Sequence, residues 1–533
     1  SINEYNKRLR KKMYKENISY QQNNIFSFKS LLSEKKYKKL SESQEFYFFN
    51  LIFRNIKESE FSILYSEKDS RPNSPINCLV SSLILMHRKG WSYEQLFEQI
   101  DFDLKTRTAL GLSDLEETPF SPATIFNFQN RIAEHFVNTG ENLLERVFDS
   151  LTEEQLKTLK IKTNIQRSDS FLATSNIRSY SRLQMLIELL IRLYRNLSDE
   201  DKLKFQEKFA PYVKQTSGQF IYRLNPSDIT HKIEEIATIY HWLYLNLKDQ
   251  YGDQQIFRVF ERVYTEHFTL VKDKIVVKTS EELHSGILQS PDDLDATYRK
   301  KRAKQFHGQV INVTETAHPD NPLNLVLDVS VQANNIDDSV ILGARLDKMK
   351  EKTSDLDELH TDGGFGSEDN DKKMSQLGIT HIQTAVKGRK PVVEIVIEKN
   401  DTKGYQVKCP NQVALSQKTE TRYKACFDLN ICSNCSLAKL CPAVEMKQGR
   451  VYYFSDEDYL SNKRRRNILA LPIERQKIRP NVEATVKEFE YSMVNGKLKV
   501  RGLFKTMVYA YTMAVSINFG RIYRYNQVNY ALE

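Results

Sequence analysis

The run His360-Thr361-Asp362-Gly363-Gly364-Phe365-Gly366-Ser367-Glu368-Asp369 lies beyond the middle of a chain of 533 residues, and its reading decides the fold. It follows a short strand-like run, Leu356 to Thr361. Asp362 is therefore delivered at a strand end, beside glycines that permit positive φ and let backbone approach a ligand closely. A carboxylate held there can ligate a hard cation. Asp-Gly-Gly is also a turn signal in its own right, so the chemical meaning of Asp362 depends on the elements around it.

Immediately upstream, Val310 to Thr316 and Leu325 to Val331 are β-rich and joined by a turn at His318 to Pro322, and a helix is expected over Asp337 to Lys352. Downstream come a helix and a strand at Ile379 to Val386. Further back, Ile161 to Ile177 is strand-like and carries Arg167-Ser168-Asp169-Ser170-Phe171. Asp has low strand propensity and is costly to bury unpaired, so Asp169 either meets a partner such as a metal or faces water from an edge strand. Strand, strand, strand, helix, strand, helix, strand is an α/β order, with one acid on the first strand and another closing the fourth.

The flanks are helical. Pro75 opens an apolar run through Leu79, Val80, Leu83, Ile84 and Met86, Gly90 closes it, and Ser92 with Gln95 forms a capping box for the next helix. Ser121-Pro122 starts another, with Ser as cap and Pro in the first turn. Residues 181–275 carry a stripe of Leu183, Leu186, Ile187, Leu190, Ile191 and Tyr194, expected as the core of an inserted helical subdomain. Residues 1–65, rich in Lys, Tyr and Asn, read as a basic arm with short helices.

Composition sets the class. Hydrophobic residues make up 40%, enough for substantial cores. The net charge is +9, and most of the excess lies in residues 1–40 and 461–505, which are solvated faces or phosphate-binding surfaces. No stretch approaches the roughly 18–20 apolar residues of a membrane span, and the N-terminal residues hold no apolar signal core. The expectation is a soluble, cytoplasmic protein with no membrane partner.

Five of the six cysteines fall within Cys409 to Cys441. Cys426, Cys432, Cys435 and Cys441 have the spacing C-x5-C-x2-C-x5-C, which can close a tetrahedral Zn²⁺ site, with Cys409 as a substitute ligand. Reduced cysteines and a redox pair are the other readings. Beyond them come Lys463-Arg464-Arg465-Arg466 and then Arg479-Pro480-Asn481-Val482-Glu483, in which Arg479 and Glu483 share a helix face at i,i+4. The apolar run Phe504 to Tyr525 reads as a final buried helix that would hold Glu483 against the sheet.

Together these motifs resemble bacterial insertion-sequence transposases with an aspartate-aspartate-glutamate triad, most like the branch named for insertion sequence 1182 within the broader group of insertion sequences 4 and 5. The likeness rests on Asp169-Ser170 with Ser175-Asn176-Ile177, on Asp295-Ala296-Thr297-Tyr298, on Asp362-Gly363-Gly364-Phe365 with Ser367-Glu368, and on Arg479 with Glu483. Arg71-Pro72, Leu110-Gly111-Leu112 and Thr124 to Arg131 are similar to the helical N-terminal domain of such enzymes. The chain departs from the pattern at Gln476 and Glu490, where relatives carry Tyr and Lys, with Lys487 as a substitute for the latter; Phe171 replaces a common Thr.

The resemblance implies an α/β fold: an RNase H-like catalytic core with an all-helical N-terminal domain, a helical insertion and a small cysteine-rich, zinc-bearing insertion. The chain then divides into a basic arm (1–65), a helical DNA-binding domain (66–150), the first part of the core (151–180), the helical insertion (181–280), the core continued (281–390), the β- and cysteine-rich insertion (391–456) and the C-terminal part with the Glu helix and final helix (457–533). Asp169, Asp362 and Glu483 would hold two Mg²⁺ or Mn²⁺ ions and catalyse cleavage of transposon ends and joining of 3′-hydroxyls to target DNA. Lys463, Arg464, Arg465, Arg466, Arg479 and Lys487 would contact DNA. The implied partners are double-stranded DNA, as terminal inverted repeats and target, and a second copy of the chain, in a nucleoid-associated setting. A catalytically inactive DNA-binding derivative and a nuclease without strand joining are the rival readings.

Overall fold

The structure is a computed structural model that describes residues 13–22, 27–66, 71–384, 392–400, 404–446 and 449–530. Its N-terminal part, before the first strand, is a helical layer: α1 (Glu34–Ser41), α2 (Gln44–Leu51), α3 (Ile76–Lys89), α4 (Tyr93–Phe102), α5 (Leu104–Ala109), α6 (Pro122–Thr139) and α7 (Leu143–Leu159). The local signals act as expected. Gly90 ends α3 in the left-handed conformation at φ +65°, Ser92 and Gln95 cap α4 reciprocally, and Pro122 sits in the first turn of α6. The segment read as an arm differs. Residues 1–12 lie outside the described residues, but Phe48, Ile52, Phe53 and Phe61 are fully buried in the main core. Their aromatic and aliphatic side chains give this stretch a packing face that its high lysine content hides from a composition reading.

The central sheet begins with β1 (Ile165–Thr174) and is then interrupted by six helices: α8 (Arg182–Asn196), α9 (Asp199–Lys204), α10 (Gln206–Val213), α11 (Ser217–Tyr222), α12 (Ile229–Tyr251) and α13 (Gln255–His267). They enclose their own core around Leu186, Leu190, Phe209, Tyr240 and Phe260. A hairpin of β2 (Phe268–Val271) and β3 (Lys274–Val277) follows, turning through Lys272 and Asp273 at positive φ.

The sheet resumes with β4 (Thr297–Lys301), β5 (Lys304–Thr316) and β6 (Val326–Ala333), then α14 (Asp338–Lys352), β7 (Glu358–Thr361), α15 (Glu368–Gln376) and β8 (Thr380–Gln383). Residues 385–391, including the expected strand end at Val386, lie outside the described residues. The strand order is β6-β5-β1-β7-β8, with β4 continuing the edge of β5 on which β6 pairs. β5 runs antiparallel to β1 and β6, while β1, β7 and β8 are mutually parallel. Side-chain alternation along β1 divides its two faces. Ser168 and Ser170 look toward the α14 side, where Ser170 donates to Asp338, whereas Arg167, Asp169 and Phe171 face the C-terminal helices.

A second, antiparallel sheet is inserted after β8: β9 (Val396–Asn400), β10 (Gly404–Lys408), β11 (Val413–Lys418), β12 (Tyr423–Phe427), β13 (Val444–Met446) and β14 (Gly449–Phe454), with α16 (Leu429–Ser433) between β12 and β13. The chain returns through α17 (Asp456–Ala470), α18 (Ile473–Gln476), α19 (Val482–Glu490) and α20 (Leu503–Tyr530). α20 is the central beam. Its Ala510, Ala514 and Phe519 are buried against the N-terminal helices and the sheet face of Ile311 and Val329 in one continuous core. Asn518 accepts from the Val326 N–H and donates to the Val326 carbonyl, so it satisfies backbone groups at the edge strand β6.

Candidate active site

Three residues of one β1 face dock the segment that carries Glu483. Arg167 donates through Nη1 to the Ile478 carbonyl at 3.0 Å, Asp169 accepts from Arg479, and Phe171 packs on Phe489 with ring centroids 5.8 Å apart. Behind them sits a buried ion cluster. Glu315, on β5 opposite Arg167, has no exposed surface. It accepts from Arg167 Nε, Arg521 Nη1 and Thr485 Oγ1, each at 2.7 Å. Glu315 stands where the β5–β6 register shifts, a bulge that can re-aim a side chain. The cluster fixes α19 between the sheet and α20.

Asp169, Asp362 and Glu483 converge on one guanidinium. Arg479 Nη2 is 2.7 Å from Asp169 Oδ2 and 3.8 Å from Asp362 Oδ2, and Nη1 is 2.8 Å from Glu483 Oε1. The other oxygen of each aspartate is held by backbone: Asp169 Oδ1 accepts from Ser170 N and Asp362 Oδ1 from Gly364 N, both at 2.8 Å. Asp362 follows β7, which lies beside β1 in parallel, so adjacent strands carry the two aspartates. A Cβ on Gly364 would stand 3.1 Å from Asp362 Oδ1, which accounts for glycine at this close approach.

The site is graded from buried to open. Asp169 is buried, Asp362 is partly exposed, and the Glu483 side chain is 64% exposed. Burial raises the Asp169 carboxyl above its ordinary range; Arg479 opposes that shift and Asp362 adds to it. Among the described residues no group of three or more His, Cys, Asp and Glu side chains is arranged to hold a metal ion. What the three carboxylates share is the Arg479 guanidinium, to which Oδ2, Oδ2 and Oε1 are turned; carboxylate oxygens are the donor type that hard cations prefer.

The sequence reading missed Asp338. It stands at the start of α14, accepts from Ser170 Oγ at 2.7 Å, pairs with Arg299 at 3.7 Å, and lies beside Gly364. The pair Asp337-Asp338 reads first as helix-start residues, and no local pattern tells which strand it faces. Gln383, whose Nε2 donates to the Asp362 carbonyl at 3.3 Å, went unread for the same reason.

Two expectations change on contact with the structure. Zinc ligation by Cys426, Cys432, Cys435 and Cys441 is not supported. On β12 the inward positions are Ala425 and Phe427, so strand alternation turns Cys426 to solvent. Cys409 instead joins Cys432, Cys435 and Cys441 around a small cavity with Phe427 and Arg450, where Gln412 and Asn411 donate to the Cys432 and Cys435 sulfurs. The basic run is also partly spent within the fold. Arg466 pairs with Glu398 and donates to the Ile397 carbonyl, and Arg464 pairs with Asp371, so α17 ties the inserted sheet to the core. Lys463 lines the cleft beside α15, and Lys487 pairs with Glu490.

The comparisons with known proteins bear on this arrangement. Two segments match transposase families. Residues 33–131 match a family described as Transposase domain (DUF772), and residues 403–523 match one described as Transposase DDE domain. The first match spans α1 to most of α6; the second holds Arg479 and Glu483 but neither Asp169 nor Asp362. Both families are described as transposase domains, and the two matched segments together cover less than half of the chain. No curated protein and no solved structure gave a significant match. Among the described residues no helix is long and apolar enough to cross a membrane.

Proposed function

We propose that this chain is a DNA transposase whose catalytic carboxylates are Asp169, Asp362 and Glu483. The observation that carries the reading is the convergence of these three acids, from β1, from the end of β7 and from α19, on the single guanidinium of Arg479. The order β6-β5-β1-β7-β8 with β5 antiparallel supports an RNase H-like core. The acids would hold Mg²⁺ or Mn²⁺, which when bound supplies Lewis-acid activation of a phosphate and its attacking oxygen.

The protein's own residues do the rest. β1 and β7 fix the two aspartates, the Glu315 cluster fixes α19, and the exposed side of Glu483 leaves the site open to a long polyanionic substrate. Lys463, Arg465 and Lys487 follow the DNA backbone, while Arg464 and Arg466 set the position of α17. DNA flanked by the element's own terminal inverted repeats is the substrate, and a second copy of the chain carries the other end.

The test is cleavage and joining of labelled duplexes that carry the sequences flanking the gene, with Mg²⁺ or Mn²⁺. Wild type should give nicked ends and joined product, and Asp169→Asn and Glu483→Gln should lose both while keeping the wild-type melting transition. Full cleavage by either variant would refute the assignment of the acids. Cleavage without any joined product would make the protein a nuclease.

A further inference from the structure

We propose that Arg479 is the resident counter-ion of the carboxylate site and must be displaced before a divalent ion can be held, so that metal loading is coupled to DNA engagement. The inference rests on the proposed reading of Asp169, Asp362 and Glu483 as the metal-holding acids.

The oxygens decide it. In each aspartate one oxygen is occupied by a backbone N–H, from Ser170 or Gly364, and the remaining one faces Arg479. Glu483 Oε1 meets the other terminal nitrogen of the same guanidinium. The three oxygens that face a common point are therefore the ones turned to Arg479, two of them within hydrogen-bond distance of it and Asp362 Oδ2 at 3.8 Å. A divalent ion and a guanidinium exclude each other from that point, because both are cations drawn to the same oxygens and they repel each other.

The arginine is held in a way that lets it leave. Among the described residues its buried Nε has no hydrogen-bond partner, so the terminal nitrogens make the polar contacts of the side chain. A guanidinium leaving three carboxylates needs another oxyanion of matching fork geometry, and a DNA phosphate provides one. The site faces solvent on the Glu483 side, where such a phosphate would arrive. Engagement of the DNA backbone would then draw Arg479 off the acids as the ion takes its place. Without DNA, Arg479 offsets part of the acids' negative charge and so lessens the mutual repulsion of the three carboxylates.

The experiment is Mn²⁺ binding to the full chain, read by the electron paramagnetic resonance signal of free Mn²⁺, so that no activity is needed. Wild type, Arg479→Gln, Arg479→Lys and Asp169→Asn are compared without DNA, with melting curves to establish that each is folded. Arg479→Gln should bind Mn²⁺ about tenfold or more tightly than wild type, as expected when a competing charge-assisted pair is removed. Arg479→Lys, which keeps the charge but not the fork, should fall between. Adding a short duplex of arbitrary sequence to wild type should also tighten binding, taken as the difference from Asp169→Asn with the same duplex. Unchanged or weaker binding by Arg479→Gln would overturn the proposal and leave Arg479 as a residue that positions Glu483. Mn²⁺ binding that is indifferent to Asp169→Asn would instead overturn the carboxylate-site reading on which it rests.

Discussion

Replacing Glu315 by Gln keeps its shape and removes one charge, and the structure sets what this costs. The carboxylate is fully buried and accepts three hydrogen bonds at 2.7 Å, two of them from guanidinium groups. Stripping one partner from a buried ion pair costs about 3–5 kcal/mol, because the other charge stays behind unpaired. The two arginines do not suffer equally. Arg521 retains Glu488 at 2.6 Å and the Asn324 carbonyl at 2.9 Å, whereas Arg167, among the described residues, keeps the Ile478 carbonyl alone. The expected loss therefore lies near the lower end, about 3 kcal/mol. Urea unfolding followed by tryptophan fluorescence and circular dichroism measures it, with hydrogen exchange reporting where the loosening falls. Amides of α19 should exchange faster, because Thr485 loses a charged acceptor. The double variant Glu315→Gln/Arg167→Gln should recover part of the loss, with a coupling of about 0.5–3 kcal/mol. A loss below about 1 kcal/mol, or unchanged exchange in α19, would refute the claim that this cluster seats the Glu483 helix.

Three further outcomes are expected. His87 is buried on α3 with Nδ1 2.7 Å from Thr512 Oγ1 on α20, and burial pushes its pKa down to about 4. Its folded-state pKa lies below the unfolded value, so its stabilising contribution is full above about pH 6.5 and is lost as pH falls toward 4. Between pH 7 and 5 this amounts to about 2 kcal/mol of urea-unfolding free energy, which His87→Gln should flatten; an equally steep variant would refute it. A Cβ at Gly308 would lie 2.3 Å from the Ala173 carbonyl oxygen on β1, so Gly308→Ala should cost about 2–3 kcal/mol, against under about 1 kcal/mol for Gly404→Ala, where the nearest atom is 3.7 Å away. Comparable melting shifts in the two variants would contradict this. Cys426→Ser should change stability by less than about 0.5 kcal/mol, since the thiol faces solvent, whereas loss of the fold would restore Cys426 to a structural role.

Local pattern carried much of the architecture. The capping box at Ser92 and Gln95, Pro122 in the first turn of α6, the apolar stripe of α8 and the strand-like run around Asp169 are each encoded within a short stretch of sequence. They sufficed to place helices, strands and two acids at strand positions, because capping and periodicity are short-range physics. The mixed α/β class with a helical N-terminal region followed from that order. The i,i+4 spacing of Arg479 and Glu483 likewise put them on one helical face, and they pair across it.

Partner choice was decided only by tertiary packing. Asp169 and Arg479 are 310 residues apart, and no local signal says that one guanidinium will bridge three acids. The same holds for Asp338 beside the Asp362 loop, for Cys409 rather than Cys426 at the thiol-lined cavity, and for Arg464 and Arg466 turned inward to hold the inserted sheet. Residues 34–64 looked like part of a solvated arm because charged residues are scattered along them, yet Phe48, Phe53 and Phe61 find a core that the last helix completes. The sequence by itself determined which side chains stand on which face of each element. Only the assembled fold determined what those faces meet, because burial and charge pairing depend on neighbours brought together from across the chain.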